Sequence, residues 1–191
     1  MRWQEEFVET FYEVVKQENT IFSRFNENVN KDEWIPRSVV DLTEGQWQYL
    51  LFKGLLVNKY FDGWVIQLEQ AYSGKRHAKS RKRHADFMLS KIRYRKPDYE
   101  STICIEMKPS FRGVEDDYHR LTQYSDPTCR GLLVYKFSKN PVELADKINE
   151  SPEFSRKKFN KMTAPGHTEV NVVSVGGNHE RYHFEAVLLS W

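Results

Sequence analysis

Cysteine is scarce in this chain: Cys104 and Cys129 are the only two in 191 residues. Two cysteines cannot knit a disulfide-built secreted scaffold. With no CxxC pair and no Cys/His ligand spacing they do not read as a zinc site either. A reducing cytosol fits that usage. The six histidines form neither HExxH nor a helical pair, which again excludes a zinc centre of familiar spacing. Long apolar runs are missing as well. None approaches the roughly 18 residues that a membrane-spanning helix needs. The opening segment, MRWQEEFVETFYEVV, is amphipathic and acidic, unlike a secretory leader. A soluble, cytoplasmic protein with no membrane partner is expected. Internal repeats and low-complexity tracts are absent, and there is no heptad seam. Whether the chain forms a homodimer or joins a partner protein is therefore not written in it.

What the chain does hold is the apolar and aromatic content of a packed globule. At 191 residues, 39% hydrophobic and 14% aromatic, it can bury one good core and is too apolar for disorder, so residues 1–191 are read as one domain. The formal net charge of +2 conceals an uneven distribution. Lys75, Arg76, Lys79, Arg81, Lys82 and Arg83 crowd the stretch between Gly74 and His84, with no acid among them. A solvated loop is the ordinary fate of such a run. Its place between two strand candidates favours a loop that contacts phosphates, with nucleic acid as the partner.

Periodicity divides the rest. Trp3, Phe7, Phe11, Val14 and Val15 have helical spacing over residues 3–18; Trp3, Phe7, Phe11 and Trp47 read as core rather than base-stacking platforms. Residues 19–41 read as irregular. A second helix starts near Asp41-Leu42-Thr43-Glu44, capped by Asp41 or Thr43, with Trp47, Leu50, Leu51, Gly54 and Leu55 on its apolar face. Asp62-Gly63 turns into a strand over 63–69. Further strands are expected over 84–94 and 101–108, separated by a Pro97-Asp98 turn. Residues 114–124 read as a helix, with Asp116 and Asp117 favouring the dipole in its first turn and His119 on its surface. The continuous apolar run 131–137 reads as a buried strand. A short helix follows Pro141, and 170–175 with 182–189 read as a hairpin around Gly176-Gly177-Asn178.

Two of these strands carry charge in a telling place. Asp86 opens one alternating run, in Ala85-Asp86-Phe87, and Glu106-Met107-Lys108 closes the next. Side chains two apart on a strand share a face, so Glu106 and Lys108 point one way and Ile103 and Ile105 the other, toward a core. Two carboxylates and an ammonium then meet at the mouth of a sheet. Alone, the Glu-x-Lys triplet would read as a solvated strand face with a weak ion pair. Asp86 on the preceding strand lifts the pattern above that. Such a set suits a divalent metal that activates water for phosphodiester cleavage.

The element order over residues 41–137 is helix, strand, strand, strand, helix, strand. With Asp86, Glu106 and Lys108 where they fall, it resembles the PD-(D/E)XK nuclease superfamily. That resemblance implies an α/β fold with a central mixed β-sheet flanked by helices. The restriction-endonuclease-like αβββαβ core would span about 41–137, with residues 1–40 as an N-terminal helical extension and 141–191 as a C-terminal helix and β-hairpin. It implies Asp86 and Glu106 as ligands of Mg2+, with Mn2+ able to substitute, and Lys108 as the residue that orients or activates the attacking water. Glu44 matches a further acidic ligand that many members place on the first core helix. A plain helix-start role, in the dipole or a capping box, stands beside that reading. Arg120 and Gln123 match an accessory position on the second helix. The proline that usually precedes the aspartate is Ala85 here, a departure that does not touch the metal chemistry. The role of Lys108 stays open: burial and nearby cations push its pKa down toward a base, carboxylates push it up toward an electrostatic clamp. The implied function is a metal-dependent nuclease that hydrolyses phosphodiester bonds with a metal-activated water, DNA ahead of RNA. The rivals are a catalytically inactive, nuclease-like nucleic-acid-binding module and a subunit of a larger nucleoprotein machine.

Overall fold

The computed structural model describes residues 3–28, 38–71, 84–93, 96–110, 113–122, 128–141, 144–151, 161–163, 166–173 and 179–191. Among these the helices and strands follow in the order α1 (Trp3–Asn28), α2 (Glu44–Val57), β1 (Trp64–Ala71), β2 (His84–Arg93), β3 (Lys96–Lys108), α3 (Val114–Thr122), β4 (Cys129–Ser138), α4 (Leu144–Glu150), β5 (Lys161–Thr163), β6 (His167–Val173) and β7 (His179–Ser190). The strands form one mixed sheet in the order β1-β2-β3-β4-β7-β5, with β6 also paired to β7. β1, β2 and β3 are antiparallel neighbours, β3 and β4 are parallel, and β7 is antiparallel to β4. A parallel pair needs a crossover, and α3 lies in it. The class is α/β, as the element order implies.

Alternation decides which face each strand buries. Ile103, Ile105 and Met107 of β3, Leu133 and Tyr135 of β4, and Phe184, Ala186 and Leu188 of β7 join Phe7 and Phe11 of α1 and Trp47 and Leu51 of α2 in the principal core. The intervening residues Leu132, Val134, Val187 and Leu189 pack on the other face, with Val114 of α3 and Leu144 and Ile148 of α4. The sheet thus lies between α1/α2 and α3/α4, and α1 belongs to the principal core rather than lying outside it. Each large apolar side chain so buried contributes roughly 1.5–3 kcal/mol. Phe11 is the hub: its ring meets those of Trp47, Tyr135 and Phe184 edge to face at 5.6, 5.3 and 5.1 Å. Gly54 lets α1 and α2 approach, because a Cβ there would lie 2.5 Å from Val14 Cγ2. Gly63, at φ 81, makes the expected turn into β1.

Several expectations need correcting. Residues 19–28 are not irregular; α1 continues to Asn28. Asparagine is a poor helix former, but Asn19 and Asn26 donate through Nδ2 to the carbonyls of Asn171 and Val173 in β6, at 3.0 and 2.7 Å. Tertiary contact overrides the local preference and covers a strand edge. Asp41 does not cap α2. It closes a 3-10 turn over Val39–Asp41, accepting from the Ser38 N–H and hydroxyl, both at 2.9 Å. Thr43 caps α2, and Gln46 closes the box. Pro97-Asp98 is not a turn. β3 begins at Lys96, with Pro97 opposite Ile92 beside a register shift, where a residue without an N–H is tolerated. β5, three residues paired with the end of β7, gives no sequence signal at that length. The third helix is described over Val114–Thr122, with residues 123–124 of the expected span outside the described residues, and β4 starts at Cys129, two residues before the expected Gly131. β6 and β7 pair antiparallel, as expected of a hairpin, while Gly176-Gly177-Asn178 lie outside the described residues. No helix among the described residues is long and apolar enough to cross a membrane.

Candidate functional site

β3 delivers two charges to its C-terminal end. In its parallel register with β4, Glu106 and Lys108 stand opposite Leu132 and Val134, on the α3 side of the sheet. Glu106 is only 2% exposed, and Lys108 is half-buried. Ile103 and Ile105 point into the principal core, as alternation requires. β2 supplies Asp86. The paired register of β2 with β3 runs from Arg93↔Lys96 to Phe87↔Ile105. One residue beyond, the Asp86 carboxylate accepts the Met107 N–H at 2.6 Å. A side chain thus stands where a backbone acceptor would, and it fixes Asp86 beside Glu106.

α3 supplies the counter-charges. Its buried positions are Val114, Asp117 and Leu121, so a carboxylate sits within the apolar stripe. Asp117, one turn before Arg120, is 2.8 Å from that guanidinium. It also lies 3.2 Å from Lys108 Nζ, a contact that is ionic rather than a well-aligned hydrogen bond. Arg120 reaches Glu106 Oε2 at 2.6 Å. Charges therefore alternate along one line: Lys108, Asp117, Arg120, Glu106. The second oxygen of Glu106, Oε1, is buried without a hydrogen-bond partner among the described residues. Glu44, the first residue of α2, accepts from Gln48 Nε2 at 3.4 Å. The Thr43–Gln46 box leaves its carboxylate out of the capping, and it feels the charges of Lys108, Asp86, Asp117 and Arg120.

Burial sets the titration of this cluster. Burial first, then the Asp86 charge, pushes Glu106 up to about 8. Burial raises Asp86 too, against the pull of the Met107 N–H and Lys108. Adjacent buried carboxylates that resist double ionisation share a proton and titrate as a unit. Glu44 is raised by burial, with Lys108 opposing. For Lys108 burial favours the neutral amine, but Asp117, Glu44 and Asp86 outweigh it and its pKa lies above the ordinary value. In this arrangement Lys108 is an ammonium at neutral pH, a state that suits an electrostatic clamp and not a general base.

No family model, curated protein or solved structure matches this chain. The chemistry has to be read from the geometry. Among the described residues no group of three or more His, Cys, Asp and Glu is placed to hold a metal ion. Asp86 and Glu106 nevertheless come together, and apart from the proton the pair shares, Glu106 Oε1 meets no hydrogen-bond donor among the described residues. Mg2+ is commonly held by one or two carboxylates, its own waters and a substrate phosphate. The pair fits an ion held in that way, and does not fit a closed protein cage.

Asp117 and Tyr135 escape the sequence reading. Asp117 was expected to do no more than favour the helix dipole; it is 6% exposed and bridges Lys108 to Arg120. The signal was its place on the apolar stripe with Val114 and Leu121. Tyr135 sits on the opposite face, its hydroxyl buried without a hydrogen-bond partner among the described residues. Burial, then Glu44 and Asp86, raises its pKa, so the hydroxyl keeps its proton. Nothing in the run GLLVYKF separates it from an ordinary core aromatic. Arg120, an accessory candidate, lies at the centre of the cluster. His119 is at the surface beside Glu115, 3.4 Å away. Gln123 and the run Lys75, Arg76, Lys79, Arg81, Lys82 and Arg83 lie outside the described residues.

Proposed function

We propose that this protein is a metal-dependent nuclease that hydrolyses phosphodiester bonds, with DNA ahead of RNA as its substrate. The observation that carries the proposal is the Asp86–Glu106 pair at the ends of neighbouring strands. Both pKa values are raised by burial, and Glu106 Oε1 meets no hydrogen-bond donor among the described residues outside the acid pair. Buried like charges are costly to keep side by side, and strongly perturbed carboxylates in contact are candidates for a functional site. The order α2-β1-β2-β3-α3-β4, with β3 and β4 parallel, adds support. That is the element order the PD-(D/E)XK resemblance implies, and it is the resemblance that would give Asp86, Glu106 and Lys108 their motif roles.

A Mg2+ or Mn2+ ion held by Asp86 and Glu106, with Glu44 at its side, would acidify a water and offset charge developing on the phosphate. The chain's own groups do the positioning. The Met107 N–H holds Asp86 in place. Asp117 keeps Lys108 charged and directed, so a positive charge stands ready where negative charge grows in the transition state. The Lys75–Arg83 run would meet phosphates flanking the cut. A cytoplasmic, nucleic-acid-bound protein follows from the same reading.

Cleavage of supercoiled plasmid, linear duplex, single-stranded DNA and RNA tests this, in Mg2+, Mn2+ or EDTA. Wild type should cut only with metal. Asp86→Asn and Lys108→Ala should lose at least ~100-fold in rate while keeping the wild-type circular dichroism. A second reading has its own observation: Arg120 and Lys108 already neutralise the acids within the protein. Metal-independent nucleic-acid binding with no cutting on any substrate would select it, a nuclease-like module or subunit whose ion cluster is structural.

A further inference from the structure

Arg120 is bound in two directions at once, to Glu106 Oε2 at 2.6 Å and to Asp117 Oδ1 at 2.8 Å. The carboxylates it serves differ. Glu106 is one of the two acids proposed to hold a metal; Asp117 is three residues before Arg120 on its own helix. The Arg120 side chain is 33% exposed, whereas that of Glu106 is 3% exposed, so the cation has a path to solvent and the carboxylate does not. We propose that Arg120 is a built-in counter-cation that holds Glu106 while the site is without metal and competes with a divalent cation for it, remaining tethered to Asp117 when displaced. The proposal rests on the metal-dependent reading above.

A buried acid pair needs positive charge from somewhere. The guanidinium supplies one charge to Glu106 Oε2, and a divalent ion would supply two at the same carboxylate. Two cations crowded on one buried oxygen pair repel each other in a medium of low effective dielectric. Lys108 does not compete in this way, because its ionic contact is with Asp117, 3.2 Å away. The Asp117 tether lies within α3 and survives the loss of Glu106, so displacement requires a side-chain swing and no unfolding of the helix. The consequence is a site whose own metal affinity is kept low. A substrate phosphate, which brings ligand oxygens of its own, then tips the balance.

Isothermal titration of Mg2+ into the protein without nucleic acid, at alkaline pH so that proton release from Glu106 does not mask the exchange, separates the cases. Wild type should bind weakly. Arg120→Gln should bind on the order of tenfold more tightly, the size expected for removing one charge-assisted hydrogen bond that competes for the carboxylate. Asp86→Asn should not bind. If Arg120→Gln binds no better than wild type while Asp86→Asn loses binding, the counter-cation role is overturned and the metal site stands. If neither wild type nor Arg120→Gln takes up Mg2+, the metal-dependent reading falls and the counter-cation role with it. Should Arg120→Gln fail to fold by circular dichroism, Arg120→Lys serves instead. A lysine keeps the charge but lacks the rigid, planar guanidinium whose Nη2 reaches both carboxylates. It should bind Mg2+ more tightly than wild type by a smaller factor, and equal or weaker binding overturns the proposal.

Discussion

On the α1/α2 side of the sheet, Phe11 touches Trp47, Tyr135 and Phe184 edge to face, and the residues packed around it are almost all apolar. On the α3 side, at the end of β3, Glu106 and Asp117 are buried almost as deeply, yet both are acids bound to Arg120. The same depth of burial is used in opposite ways. Apolar burial stabilises the fold directly. A buried ion cluster costs desolvation, and apolar residues of the same volume would often be no less stable there. The first face therefore explains why the chain folds, and the second needs a chemical reason. Tyr135 joins the two: its ring is in the Phe11 cluster, while its hydroxyl feels Glu44 and Asp86.

The largest effect comes from breaking the apolar face. Phe11→Ala removes the ring at the centre of three edge-to-face contacts and leaves a cavity. Urea denaturation should show a loss of about 3–5 kcal/mol. A loss below about 1 kcal/mol would mean that Phe11 is not the hub.

The acid pair gives the next effect, and it depends on pH. Glu106 has an ordinary value of 4.5 and stands at about 8 in the folded protein. The native state therefore binds the proton more tightly than the unfolded chain, and the contribution is fully present below about pH 4.5. It is lost as pH rises through about 8. Wild type compared with Glu106→Gln, both in EDTA, should show a stability difference that moves against wild type across that window by roughly 2 kcal/mol. A difference that stays flat from acid to alkaline pH would remove the shared proton from the picture.

The apolar face was largely legible in the sequence, and the charged one only in part. Strand alternation announced that Ile103 and Ile105 would be buried and that Glu106 and Lys108 would share the other face, because a period of two leaves no choice. The cap of α2 was narrowed to Asp41 or Thr43, and hydrogen bonding chose Thr43. What could not be read depends on groups far apart in sequence. Asp86 lies beside Glu106 because its carboxylate takes the Met107 N–H. Arg120 reaches Glu106 because the crossover sets α3 against β3 and β4. Asp117 was legible in principle as a charge on an apolar stripe, but its partners were not. Residues 19–28 were misread for the same kind of reason: the groups that hold α1 helical there are carbonyls of β6, about 150 residues away.

Those carbonyls give the smallest effect, and the sharpest contrast with the acid cluster. Asn26 is a buried polar residue, 3% exposed, near the apolar face, and Nδ2 donates to the Val173 carbonyl at 2.7 Å. A neutral amide that meets its acceptor stabilises without carrying charge inside, and removing it leaves a buried carbonyl short of a donor. Asn26→Ala should therefore cost about 1–2 kcal/mol and weaken amide-exchange protection in β6 before the rest of the sheet. Asn19 makes the corresponding bond to the Asn171 carbonyl at 3.0 Å, but in an exposed setting where water can replace it. Asn19→Ala should cost less than about 0.5 kcal/mol. Equal losses at the two positions would mean that burial does not set the worth of these bonds. The distinction between neutral, hydrogen-bonded burial and charged burial, on which the reading of Glu106 and Asp117 depends, would then lose its internal control.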